Sequence, residues 1–109
     1  MRYSKYRAVP TFVNGIRFAS KKEAARYKEL LLLREAGEIK SLGIQVPFNL
    51  AVNAITIGKY IADFVYLEKG ARFLTIEDVK GMRKGTAYQF FLWKKKHMMA
   101  QYGIEIREI

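Results

Sequence analysis

The chain contains no cysteine, a single histidine, and only two aspartates among its 109 residues. Without cysteine there is no disulfide, no thiolate metal site and no cysteine nucleophile. His97 stands alone, which removes every site that needs two histidines, the common zinc hydrolase arrangements included. No apolar run approaches the roughly 18 residues needed to cross a bilayer. The opening MRYSKYRAVP lacks the apolar stretch of a secretory leader. Acidic charge is scarce as well. Ten Asp and Glu face twenty Lys and Arg, for a formal net charge of +10. What is present is half apolar and 14% aromatic, enough for a packed core and too much for a disordered tail. These features read as one small, soluble, cytoplasmic domain over residues 1–109.

A domain this basic attracts polyanions, nucleic acid first and anionic membrane second. The basic residues occur at both ends and along both helical segments, so the whole surface carries the charge rather than one tail. Residues 1–10 read as a basic, aromatic arm in which Arg2, Lys5 and Arg7 alternate with Tyr3 and Tyr6. Thr11–Phe18 then has the pattern of a short hairpin around Asn14-Gly15, a strong two-residue turn signal. The run Ser20-Lys21-Lys22-Glu23 fits a capping box, with Ser20 as N-cap and Glu23 at the third helical position. The helix it opens should end at Gly37. Ile44, Val46 and Phe48 alternate with Gln45 and Pro47 and predict a half-buried strand with Gln45 off its apolar face. Asn49–Lys59 has a weaker pattern, with a second strand piece around Ile55–Ile57 after a turn. Tyr60–Leu67 and Phe73–Lys80 predict a hairpin through Glu68–Ala71. A second helix should run from Thr86, as cap, to about Tyr102 and stop at Gly103. Ile104–Ile109 should form a last strand, parallel to its neighbour because it follows a crossover helix. The order predicts an α/β domain with a mixed sheet.

Both aspartates sit where aspartate is least favoured, inside strands. Asp63 lies within YIADFVYL and Asp78 within FLTIEDVK. A carboxylate among apolar neighbours costs several kcal/mol unless it has a partner. In an antiparallel hairpin, paired residue numbers have a constant sum. A two-residue turn at Lys69-Gly70 gives 139 and sets Asp63 diagonal to Asp78, whereas a four-residue loop gives 141 and sets them opposite. Either register puts Asp63, Asp78 and Lys80 on one face and turns Glu77 away. Two acidic oxygen donors without cysteine or histidine suit Mg²⁺ or Mn²⁺. A lysine two residues after one acid can orient a water beside such an ion. The competing reading is a structural salt bridge in which Lys80 neutralises both acids.

An Asp at the end of an apolar strand, followed by Asp78-Val79-Lys80 on the next, resembles the PD-(D/E)xK nuclease superfamily. The string from KYRA through the NG turn, SKKEA, QVPF, YIADF and EDVKG is similar to small phage proteins of the endonuclease-I-like, Holliday-junction-resolvase-like family, over essentially the full chain. The resemblance implies a restriction-endonuclease-like core of order αβββαβ and a metal-dependent DNA endonuclease. By that likeness Asp63 and Asp78 hold the metal with help from the Val79 carbonyl. Lys80 positions the attacking water, and Glu23 completes the shell. It further implies branched DNA as substrate and a homodimer. Ala62 stands where the superfamily pattern has proline, and Asp78 where many members have glutamate. Arg83 and Lys84 in the GMRKG loop, Lys94 and Lys95 on the second helix, the arm cations and Gln45 are the candidate DNA contacts. Gln89 and Trp93, four apart, share a helix face, and Trp93 there reads as a core residue. Two rival readings remain: a degradative or nicking DNase without structure preference, and a non-catalytic nucleic-acid-binding protein.

Overall fold

A computed structural model describes residues 9–109, so Arg2, Lys5 and Arg7 of the expected arm lie outside the described residues. Strands β1 (Thr11–Val13) and β2 (Ile16–Phe18) pair antiparallel as a small separate hairpin. Asn14 and Gly15 between them both have left-handed backbone, φ 51° and 78°, the geometry in which Asn-Gly closes a two-residue turn. Helix α1 (Lys21–Glu35) starts as its sequence dictates: the Ser20 side chain accepts a 3.1 Å hydrogen bond from the Glu23 N–H. Ala24, Tyr27 and Leu30, three residues apart, form its buried stripe. The helix stops before Gly37, whose φ of +78° suits a residue without Cβ.

A long antiparallel ribbon follows, β3 (Ile39–Val52) paired with β4 (Ile55–Glu68). It incorporates the Asn49–Lys59 region, where only a short strand piece was expected. Asn53 and Ala54 turn it in two residues, both with positive φ, 50° and 65°. Asn53 suits such a turn, but the alanine beside it does not, and the two long strands that the turn joins were not expected. β5 (Thr75–Asp78) pairs antiparallel with β4, and β6 (Arg107–Glu108) lies parallel to β5 after helix α2 (Thr86–Tyr102). The four-stranded sheet runs β3-β4-β5-β6, and the domain is α/β with a mixed sheet. β5 and β6 are shorter than expected. Phe73 and Leu74 are exposed rather than strand core, and beyond the strands the ladder continues through Ile109 N–H to the Asp78 carbonyl and Lys80 N–H to the Ile109 carbonyl. Gly85, not Thr86, is the N-cap of α2, and no side chain caps it.

Each helix organises its own core. Tyr27 and Leu30 of α1 pack with Phe18, Phe64 and Tyr66; Phe91 and Met98 of α2 pack with Tyr60, Ala62, Val65 and Ile76. Burying a side chain of this size contributes about 2–3 kcal/mol, so each helix is held mainly by its own stripe. Strict alternation would put Ile44 and Val46 on one face. Instead Ile44 packs into the first cluster and Val46 into the second, as do their strand partners Phe64 and Ala62. The switch falls at Gln45, whose backbone is left-handed, φ 52°. The sheet therefore changes the helix it serves at the level of Gln45 and Asp63.

Candidate active site

The switch point is where the acids gather. Glu23 enters from the first turn of α1, Gln45 from β3, Asp63 from β4, and Asp78 from the end of β5. The register Phe64↔Glu77 and Val65↔Ile76 is the 141 sum, which sets Asp63 level with Asp78. The Gln45 Nε2 donates to Glu23 Oε1 and to Asp63 Oδ1, at 3.0 Å each. Asp63 also accepts from the Val79 N–H through Oδ2 at 2.8 Å. The Val79 N–H thus ties the end of β5 to Asp63. Asp78 is turned the other way. Its Oδ1 meets Lys80 Nζ at 2.8 Å and its Oδ2 accepts from the Tyr60 hydroxyl at 2.7 Å. Lys80 Nζ also lies 3.4 Å over the Phe91 ring centroid, a cation–π contact. Its carbonyl accepts from Lys22 Nζ at 2.7 Å.

The two halves differ electrostatically. Asp78 has a cation and a hydroxyl of its own. Glu23 and Asp63 share one neutral amide. Burial, first, and then the Asp63 charge push the Glu23 carboxyl above the ordinary glutamate range, though backbone at Ala19 and Gln45 oppose this. Burial also pushes Asp63 up, with the Asp78 charge adding to it, against the Val79 N–H, Gln45 and Lys80. Burial beside Asp78 raises the Tyr60 hydroxyl far above the ordinary phenol range. Among the described residues no group of three or more acidic or histidine side chains closes into a metal cage. Glu23 and Asp63, two hard carboxylates with raised proton affinity around one shared donor, nevertheless have the donor chemistry that a hard dication takes. They line an open cleft with Gln45, Ala19 and Arg17.

A family model matches residues 3–108 of the chain. The protein belongs to the DUF1064 family of proteins of unknown function. No curated protein and no solved structure matches it. For this DUF1064 chain the site must therefore be argued from its own side chains.

The predicted site residues Glu23, Asp63, Val79, Asp78, Lys80 and Gln45 are all brought together. Of the other predicted DNA contacts, the arm cations lie outside the described residues and the rest are not among the acids. Lys95 is tied to Glu108 at 2.8 Å, and Arg83 meets the same carboxylate at 3.4 Å, so both cations are partly neutralised. Lys84 and Lys94 are exposed. Trp93 is 71% exposed, against the core placement expected for it. Glu77 does turn away from Lys80, as alternation requires. It is fully buried, held by Arg26 from α1 and by the Tyr66 hydroxyl, and burial together with this bond pushes Tyr66 up to about 12.

Sequence reasoning missed Arg17, Lys22, Arg26, Tyr60 and Phe91. Arg26 had a signal, since it lies one helical turn after Glu23 and a buried Glu77 demands a cation. Tyr60 and Phe91 had none, because their roles follow from how α2 docks.

Proposed function

We propose that the protein is a metal-dependent DNA endonuclease that hydrolyses phosphodiester bonds. The observation that carries this reading is the pair Glu23 and Asp63, drawn onto one amide beside the Asp78–Lys80 pair and, among the described residues, in salt bridge with no cation. Glu23 and Asp63 would hold Mg²⁺ or Mn²⁺, with Asp78 next to them. Such an ion, when bound, offsets charge on a phosphate and makes water a better nucleophile. The chain's own residues do the rest. Gln45 fixes both carboxylates, and the Val79 N–H fixes Asp63. Lys80, held by Asp78 and Phe91, has the reach to orient water or meet a phosphate oxygen, and Arg17 at the cleft mouth offers a second phosphate contact. The net charge of +10 draws in a polyanion. The element order around the site, helix, three strands, helix, strand, is that of the PD-(D/E)xK core the sequence resembles. Branched DNA as substrate and a homodimer extend the proposal along the same resemblance.

The rival is a non-catalytic nucleic-acid-binding protein, favoured by the complete pairing of Asp78 with Lys80 and Tyr60. Incubation with a four-way junction and a linear duplex, in Mg²⁺, Mn²⁺ or EDTA, decides between them. Cleavage should need the divalent ion, and Asp63→Ala should reduce it by at least roughly 10² while binding persists. Binding without ion-dependent cleavage of either DNA would establish the rival.

A further inference from the structure

Beside the acids runs a groove whose surface chemistry differs from theirs. Lys59 and Ile61 of β4 form one wall, Phe90 and Lys94 of α2 the other, with Tyr60 and Phe91 at its floor. Phe90 also borders a second, smaller pocket with Thr86, Gln89 and Trp93, and Trp93 meets Phe90 edge to ring at 6.0 Å and 89°. Trp93 is 71% exposed and Phe90 57%. The two most exposed aromatic rings of α2 thus look outward while its core side is filled by Phe91 and Met98.

We propose that this groove and the adjoining Trp93 face seat an unpaired strand, one base lying against Phe90 in the groove and the next stacked on Trp93, with Lys59 and Lys94 holding the flanking phosphates. Aromatic faces alternating with cations are the pattern that binds single strands, because every base offers a π-face and every linkage a charge. In a duplex those faces are covered by neighbouring base pairs, so the aromatics select unpaired nucleotides. A second copy of this chain is the poorer occupant, since it would bring Lys59 and Lys94 of one basic surface against those of another. The floor of the groove touches the Asp78–Lys80 pair from within the core. Its floor residue Tyr60 donates to Asp78, and its floor residue Phe91 carries Lys80 over its ring. The inference deepens the nucleic-acid reading above and rests on it, but it does not require cleavage.

Trp93 is the chain's one tryptophan, so its emission reports the Phe90–Trp93 face beside the groove. The full chain in EDTA is titrated with a fluorescein-labelled oligothymidylate of about 15 nucleotides, within the range one binding surface spans, and with a blunt duplex hairpin. Anisotropy reads binding, and intrinsic fluorescence of a parallel unlabelled titration reads stacking. The oligothymidylate should quench Trp93 and the duplex should not. Trp93→Ala and Phe90→Ala should each weaken oligothymidylate binding by roughly tenfold, Trp93→Phe should retain most of it, and Lys59→Gln with Lys94→Gln should flatten its salt dependence. Saturation without quenching, affinity unchanged by Trp93→Ala, or no binding at all would overturn the proposal. So would a concentration-dependent dimer that Trp93→Ala dissolves, which would make the face a self-association surface. Because the ion is absent throughout, a protein that never cuts DNA can still pass this test, and one that cuts can still fail it.

Discussion

At the scale of residues, two buried acids next to one another on β5 have opposite functions. Glu77 anchors α1 through Arg26, and Asp78 anchors Lys80 beneath α2. Glu77→Gln removes the buried carboxylate from Arg26 and leaves it, among the described residues, only the exposed Glu29, 2.8 Å away, as an ion-pair partner. It should cost about 3 kcal/mol, read as a lower urea midpoint. Cleavage should survive per folded molecule, because Glu77 touches none of the site carboxylates. Asp63 should behave in the reverse sense. Its carboxyl and that of Glu23 are held above their ordinary values of 3.8 and 4.5. The folded chain therefore keeps protons there that the unfolded chain has lost. Stability from these two groups falls as pH rises from the ordinary carboxylate range through their raised values. In EDTA at neutral pH, Asp63→Asn should thus raise the melting temperature by a few degrees, since an amide can accept from Val79 and donate to Glu23. The gap over the parent should close below about pH 4, where both acids protonate even unfolded. The difference between variant and parent is the measurement, because Glu68 and Glu108, held low by hydrogen bonds, lose their contribution in the opposite direction. Added Mn²⁺ should stabilise the parent and not Asp63→Asn.

At the scale of elements, the sequence carried the helices well and the ribbon poorly. Ser20, Glu23 and Gly37 bound α1 by local chemistry, and Gly103 with its φ of 70° bounds α2. Asn14-Gly15 likewise declares its turn. Asn53-Ala54 makes the same kind of turn without a glycine, which hid the hairpin between two of the longest strands. The alanine sits at a positive φ that its Cβ disfavours. Ala54→Gly should therefore stabilise the protein by about 0.5–1 kcal/mol, visible as a higher denaturation midpoint with an unchanged slope. The assignment of Asp63, Asp78 and Lys80 to one site was legible because constant-sum pairing survives either loop length. The face switch at Gln45 was not, because a left-handed glutamine inside a strand leaves no trace in composition or period. It is this switch that brings Glu23 of α1, rather than Asp78 alone, against Asp63.

For the molecule as a whole, charge is the readable quantity and its distribution is not. The formal +10 includes cations that the fold spends internally, Arg26 on Glu77, Lys80 on Asp78, and Lys95 and Arg83 on Glu108. DNA binding should still weaken by roughly a hundredfold or more between about 50 and 200 mM salt, the consequence of several released counterions. Lys95→Gln should change that slope less than Lys94→Gln, because Lys95 is already paired; fluorescence anisotropy across a salt series compares the two. No helix among the described residues is long and apolar enough to cross a membrane. The outer rim of the sheet raises a different matter. β3 is a 14-residue edge strand, and a straight edge of that length invites other chains to add to it. Here the rim is broken by left-handed backbone at Ser41 and Gln45, by register shifts at Lys40/Gly43 and Leu50/Ala51, and by Pro47, which lacks an N–H. The irregularity that aims Gln45 at the two carboxylates therefore also spoils the strand as a template, so solubility and the chemistry of the cleft depend on the same bend.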